Sequence, residues 1–315
     1  IALASAEGAE IETIVDPLLT VLGAPTTSRN LTVASIAALA QLDPSPRTAR
    51  QRERVLLGLE AFYLRPLGPG EQLLQAHCPT AIARLTGRSG AMAARLRERF
   101  AKDLAASLAA QAGERSNNHL AQSCAIALGL MSEPWLAGDK DNAIPDLLLS
   151  CYREHRDHQT RYFSILSLGR MGGSAARATL MRELEVGNRT IEQPWIALAI
   201  GLLEHQRRSA ARESGTSCDP DQEVGSALLS LLGKARSPSS IGGAALAVGL
   251  AGVPASGDRL RAMLRDNASR EDIAGPIAIG LAIQEERRAA VDLHELLPRC
   301  VRRPRKALRT ALAPS

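Results

Sequence analysis

Two histidines flank an aspartate at His155, Asp157 and His158, and imidazole and carboxylate are the donor types that hold zinc and related metals. A tetrahedral site needs further donors, and none lies nearby in the chain. The pattern therefore reads as a solvated turn in which Asp157 caps the helix that follows. Asp139-Lys140-Asp141-Asn142 opens like a calcium loop but lacks the glycine and the closing bidentate glutamate, so capping accounts for it too. The cysteines Cys78, Cys124, Cys151, Cys218 and Cys300 are odd in number and widely separated, which indicates neither a disulfide framework nor a zinc site. No G-x-S-x-G, P-loop or dinucleotide fingerprint occurs, and Ser, Cys and His are too dispersed to pair a nucleophile with its base. These residues point to no reaction: no catalytic residue, metal or cofactor is expected, and the chain reads as a non-enzymatic protein.

A basic run stands apart near the C-terminal end. Arg299, Arg302, Arg303, Arg305, Lys306 and Arg309 follow one another without an acid between them. Such a run contacts phosphates or an acidic protein surface, or it is simply the solvated face of a terminal helix, which is the commoner case. Arg84 to Lys102 is a second basic stretch, diluted by Glu98 on an amphipathic helix. The net charge of +5, from 38 basic and 33 acidic residues, does not by itself imply nucleic acid. No run of apolar residues is long enough for a membrane span. The first residues lack a methionine and a basic segment, so they do not read as a signal peptide. Unpaired cysteines fit a cytoplasmic protein, with a periplasmic one as the alternative.

The elements that would position any site are helices. Hydrophobic residues make up 45% of the chain but aromatics only 3%, so the core must be built of Ala, Leu, Ile and Val, which favours an all-α fold. A short phrase recurs, with small residues three apart, then an aliphatic and a glycine. It reads Cys124-Ala125-Ile126-Ala127-Leu128-Gly129, then Ser164-Ile165-Leu166-Ser167-Leu168-Gly169. Further copies are Ala244-Ala245-Leu246-Ala247-Val248-Gly249 and Gly275-Pro276-Ile277-Ala278-Ile279-Gly280. Ile196-Ala197-Leu198-Ala199-Ile200-Gly201 keeps the last three places, and Ser35-Ile36-Ala37-Ala38-Leu39-Ala40 has Ala for the Gly. The glycines are 40, 32, 48 and 31 residues apart, the size of one helical hairpin. Glycine within a helix costs about 1 kcal/mol relative to alanine, so its return at one phase marks a close helix–helix approach.

Periodicity and breakers predict helical pairs at 9–22 and 30–42, 143–155 and 159–171, 175–186 and 192–206, 221–234 and 238–252, and 257–266 and 270–284. A less regular stretch carries helices at 48–63, 71–86 and 89–112, and a terminal pair is expected at 287–299 and 304–312. Asn142 is placed to cap its helix, Gly172-Gly173 to close the next, and the polar segment Arg212–Gln222 is expected as an inserted loop. Ala2-Leu3-Ala4 aligns with Ala38-Leu39-Ala40, so the chain is expected to begin inside a second helix and the natural protein to extend further on that side.

Ala143-Ile144-Pro145-Asp146-Leu147-Leu148, Asp157, Arg161 and Leu168-Gly169-Arg170-Met171-Gly172 together resemble the HEAT-repeat family. They match its proline in the first helix, the Asp at the turn within the repeat, and the Arg early in the second helix. The resemblance implies an α-solenoid of about seven helical hairpins, HEAT-like or armadillo-type. Irregular repeats would occupy 1–116, regular ones 117–284, and terminal helices with the basic tail 285–315. The function it implies is a protein–protein interaction scaffold whose second helices line a binding surface. Arg161, Tyr162 and Arg170 are the candidates there, by helical phase alone, for a protein partner.

Nucleic-acid binding is the alternative, since some DNA glycosylases are built of HEAT-like repeats. Trp135 and Trp195, each just after a proline at an expected helix start, read better as packed caps than as base-stacking platforms. A regulatory domain of a longer enzyme is a further alternative. His294-Glu295 resembles one pair of the HEAT-repeat di-iron hydroxylases, but that family needs several such pairs and the chain has one.

Overall fold

In the computed structural model, residues 9–24, 27–42, 48–68, 71–110, 117–186 and 191–284 are described, and every element among them is helical, with no strand. The order is α1 (Ala9–Gly23), α2 (Arg29–Leu39), α3 (Ala49–Leu64), α4 (Gln72–Gln75), α5 (Cys78–Thr86), α6 (Ala91–Ala109), α7 (Asn118–Met131) and α8 (Ala143–Glu154). Then come α9 (His158–Met171), α10 (Ser174–Val186), α11 (Gln193–Glu213), α12 (Gln222–Lys234), α13 (Pro238–Ala251), a 3₁₀ turn (Pro254–Ser256), α14 (Gly257–Asp266) and α15 (Glu271–Ile283). The expected terminal pair at 287–312 and the alignment of Ala2-Leu3-Ala4 lie outside the described residues.

The chain divides into two compact units. One comprises Ile1–Glu133 with Asp141–Ser167, the other Pro134–Lys140 with Leu168–Ser315. In the first unit α6 presents Leu96, Phe100 and Leu104, one helical turn apart, and all three are fully buried. α7 packs on both α5 and α6, and α3 on α5. In the second unit α13 lies between α11 and α15, while α12 covers α13 and α14 covers α15. Leu228, Leu260, Leu264 and Leu281 have no solvent exposure there.

The recurring glycines lie where helix backbones touch. In the first unit a Cβ on Gly129 would stand 2.7 Å from Cα of Ser167. In the second, a Cβ on Gly169 would stand 2.7 Å from Cα of Ala199, and one on Gly201 would stand 2.9 Å from Cα of Ala247. Ser167, Ala199 and Ala247 each precede the next phrase's glycine by two places, so three successive steps share one register. The fourth step shifts: Gly249 faces Gly280 itself, with a Cβ 2.6 Å from its Cα. No side chain larger than hydrogen fits at these positions without moving a neighbouring backbone.

Helix ends mostly follow the sequence. Asp221 caps α12 through Glu223 and Val224 N–H, and Ser237 caps α13 through Ser240 N–H. Gly172 and Gly173, at φ 77° and 98°, turn the chain out of α9. Asn142 stands at the N-cap of α8 but its side chain makes no capping bond there; the Asp141 carboxylate accepts Ala143 N–H instead.

Two expectations change. The helix expected over 71–86 is broken into α4 and α5. Pro79 lies in the first turn of α5 and lacks the N–H that would donate to the Gln75 carbonyl of a continuous helix. The break frees the Gln75 side chain, whose Nε2 donates to the carbonyls of Tyr63 at 2.9 Å and Arg65 at 2.6 Å, closing the end of α3. The second change is in α11, which runs on to Glu213, so the inserted loop begins after the helix rather than at Arg212.

Candidate interaction surface

Asp157 precedes α9 and does what the sequence assigns to it. Its Oδ2 accepts the N–H and the hydroxyl of Thr160, both at 2.8 Å, and Nε2 of Gln122 at 2.9 Å. Burial pushes its carboxyl up, but the hydrogen bonds from Gln122 and Thr160 outweigh it and hold it below the usual carboxylate range. His155 departs from expectation: it is 5% exposed rather than solvated. Its Nδ1 accepts Asp157 N–H at 3.0 Å, which places the ring proton on Nε2, 3.1 Å from the Ser107 hydroxyl. Burial lowers its pKa, and the neighbouring Asp157 only partly offsets that. Among the described residues no group of three His, Cys, Asp or Glu is placed to hold a metal ion.

The three residues assigned to a docking surface do not share one. Arg161 and Arg170 are nine positions apart, about two and a half turns, and so lie on opposite faces of α9. Arg161 is only 7% exposed, and its Nε donates to the Tyr152 carbonyl at 2.7 Å, in the last turn of α8. A cation there satisfies a carbonyl left over at a helix end and complements the dipole. Tyr162 is likewise 7% exposed and stacks on His158 with ring centroids 6.3 Å apart. The expectation that these two project outward is thus corrected. The signal was in the sequence: an Arg four residues after a capping Asp, beside the turn, is positioned to reach back to the preceding helix. Arg170 is exposed, as the surface reading requires.

Arg170 has basic company that the sequence reading missed. In the second unit Gln206 Nε2 donates to the Gly169 carbonyl at 3.3 Å, so the end of α9 lies against this part of α11. His205, Arg208 and Arg212 are spaced three and four apart along α11 and share a face. Burial lowers the His205 pKa, and the neighbouring charges of Arg208, Arg212 and Arg170 lower it further. The Arg208 guanidinium packs against Gly252, the left-handed residue that ends α13, where a cation is favoured. The signal was the i, i+3, i+7 spacing, which the sequence pattern cuts short because the expected helix ends at 206 and the loop is expected from Arg212.

Cys78, Cys124 and Cys151 are buried, and burial pushes each thiol up to about 12, so they are protonated at neutral pH and poor nucleophiles. Trp195 sits in the first turn of α11, just after Pro194, which packs on Gly243 of α13. Trp135 is not at a helix start but in the segment after α7, where its N–H donates to Gly172 and its carbonyl accepts from Ala175. The basic run Arg299, Arg302, Arg303, Arg305, Lys306 and Arg309 lies outside the described residues, as do His294, Glu295 and Cys300. Among the described residues no helix is long and apolar enough to cross a membrane. No family model matches the chain, and no curated protein matches it either.

Proposed function

We propose that this chain is a non-enzymatic scaffold of HEAT-like helical hairpins, about seven in number, which holds a protein partner. One observation carries the reading: Gly129, Gly169 and Gly201 each meet a backbone two places before the next glycine of the series. Identical spacing at successive hairpins is what stacking of one repeated unit produces, and stacked hairpins of this kind display long side chains in rows. The row Arg170, His205, Arg208 and Arg212 is such a display and favours an acidic protein surface. The test is quantitative partner capture with the full chain and with Arg170→Glu. A partner retained by the wild type and depleted by the variant, at unchanged helicity, supports the scaffold. Recovery of the same proteins with both, at equal yield, overturns the role of this row.

The same row also favours a second reading, nucleic-acid binding, because its three arginines, Arg170, Arg208 and Arg212, fit phosphates as well as carboxylates. It requires DNA or RNA binding that weakens steeply with salt and falls when Arg208 and Arg212 are replaced by Gln. Absence of binding at low salt sinks it.

A further inference from the structure

His155 is a buried titratable group that the scaffold reading leaves unused, and both of its ring nitrogens are engaged. Nδ1 accepts Asp157 N–H at 3.0 Å across the turn between α8 and α9, and Nε2 stands 3.1 Å from the Ser107 hydroxyl on α6. An N–H aimed at Nδ1 leaves the single proton of the neutral ring on Nε2, so Nε2 donates and Ser107 Oγ accepts. The ring is therefore no base toward Ser107, and Ser107, His155 and Asp157 form no catalytic relay.

The charged groups around the ring are turned elsewhere. The Asp157 carboxylate accepts from Thr160 and from Gln122 of α7. Arg161 of α9 is held at the Tyr152 carbonyl. On α6, Asp103, one turn before Ser107, is taken by Tyr63 and Arg99, and Lys102 is exposed. Arg153, Glu154, Arg156 and His158, beside His155 in the chain, are exposed as well. Burial opposes a charged ring, and Asp157 offsets that only in part.

A second proton has one place to go. It must sit on Nδ1, where it meets the Asp157 N–H, and two donors cannot face each other across 3.0 Å. The protonated ring has to leave, and its departure also breaks the bond that ties the end of α8 to α6. The cap of α9 outlasts this step, because its hydrogen bonds hold the Asp157 carboxyl below the usual carboxylate range.

We propose that His155 is an acid-released latch: neutral, it clamps the α8–α9 turn onto α6 within the first unit, and protonated at Nδ1 it gives up Asp157 N–H and frees the turn. The inference goes beyond the scaffold reading and does not depend on which partner is held.

The test measures amide exchange in the full chain at pH 7.5 and pH 5.5, expressed as protection factors so that the intrinsic pH dependence of exchange cancels. Protection of Asp157 N–H is expected to fall by as much as about tenfold, the limit for one group whose unperturbed pKa is near 6.5. Thr160 N–H, held by Asp157 Oδ2 rather than by the ring, is expected to change less than about twofold. In His155→Gln, whose amide offers an acceptor and a donor without titrating, Asp157 N–H is expected to keep its protection at both pH values. Ser107→Ala is expected to lower protection at pH 7.5 and to retain the fall toward pH 5.5, since Nδ1 is unchanged. Ring ¹⁵N shifts at pH 7.5 are expected to place the proton of His155 on Nε2. Unchanged protection of Asp157 N–H at pH 5.5, an equal loss at Thr160, the same fall in His155→Gln, or a ring proton on Nδ1 at pH 7.5 overturns the latch. None of these readouts involves the Arg170 row, so the latch and the scaffold reading stand or fall separately.

Discussion

At Gly169 two local preferences oppose one another. Alanine is the better helix former by about 1 kcal/mol, yet its Cβ would stand 2.7 Å from Cα of Ala199. Steric exclusion wins because the obstacle is backbone, which cannot rotate away. Gly169→Ala is expected to destabilise by about 1–3 kcal/mol, as overpacking of a tight core does. Gly23→Ala, where nothing lies within 4 Å, is expected to be neutral or slightly stabilising. Urea midpoints of the two variants check this, and equal effects would deny the glycines a packing role. His155 carries a pH prediction. Burial lowers the pKa of His77, His155 and His205, so below about pH 6.5 the unfolded chain takes up protons that the folded one resists. Stability from these groups is complete above that pH and is lost as pH falls through it. The lowered Asp157 carboxyl adds a loss only at more acidic pH. The urea midpoint is expected to drop between pH 8 and pH 5.5, and to drop less in His155→Gln.

α11 shows how one helix supports a loop and why part of it escaped the sequence pattern. Arg207 lies one turn beyond the last buried apolar residue and links the buried Glu204 to the backbone at Asp219. Arg207→Ala is expected to cost about 2 kcal/mol, less than the 3–5 typical of a fully buried pair because the side chain is 40% exposed. Glu204→Leu combined with Arg207→Leu is expected to recover most of that, since no charge is then stranded. Thermal unfolding of the single and double variants measures it, and a double variant weaker than the single would refute the account. The sequence shows α11 only as far as its apolar period runs; residues 207–213 are helical without burying a face, and periodicity is blind to them. It reads α4 and α5 as one helix because apolar spacing continues through Ala76 and His77, although Pro79 carries the break. The glycine phrases were legible because backbone approach admits few residue types. Arg161 and Tyr162 were misplaced outward because charge and a phenolic tip look like surface, whereas a helix end beneath them supplied Arg161 with a buried acceptor.

For the whole molecule, the question is whether the helices share one cooperative core or, as the proposed array requires, are stabilised by their neighbours. The extensive helix pairs join close neighbours in the chain: α11 with α13, α13 with α15, α6 with α7, α5 with α7. In a stacked array each unit is stabilised by its own fold and by the interfaces on either side, so damage stays near its origin. Gly249→Val places a branched side chain against Gly280, where even a Cβ would stand 2.6 Å from Cα. Hydrogen exchange of the full chain is expected to accelerate in α13 and α15, and in α12 and α14 that cover them. α3, α5 and α6 are expected to keep their protection under conditions where the variant remains folded. An array also predicts the reverse gradient for Gly129→Val, with α7 and its neighbours most affected and α15 least. A uniform increase in exchange for both variants would mean a single cooperative core, and the hairpin array would fail. Localised responses from both ends leave the recurring glycine as what the sequence pattern implies, a joint repeated at each step between neighbouring hairpins.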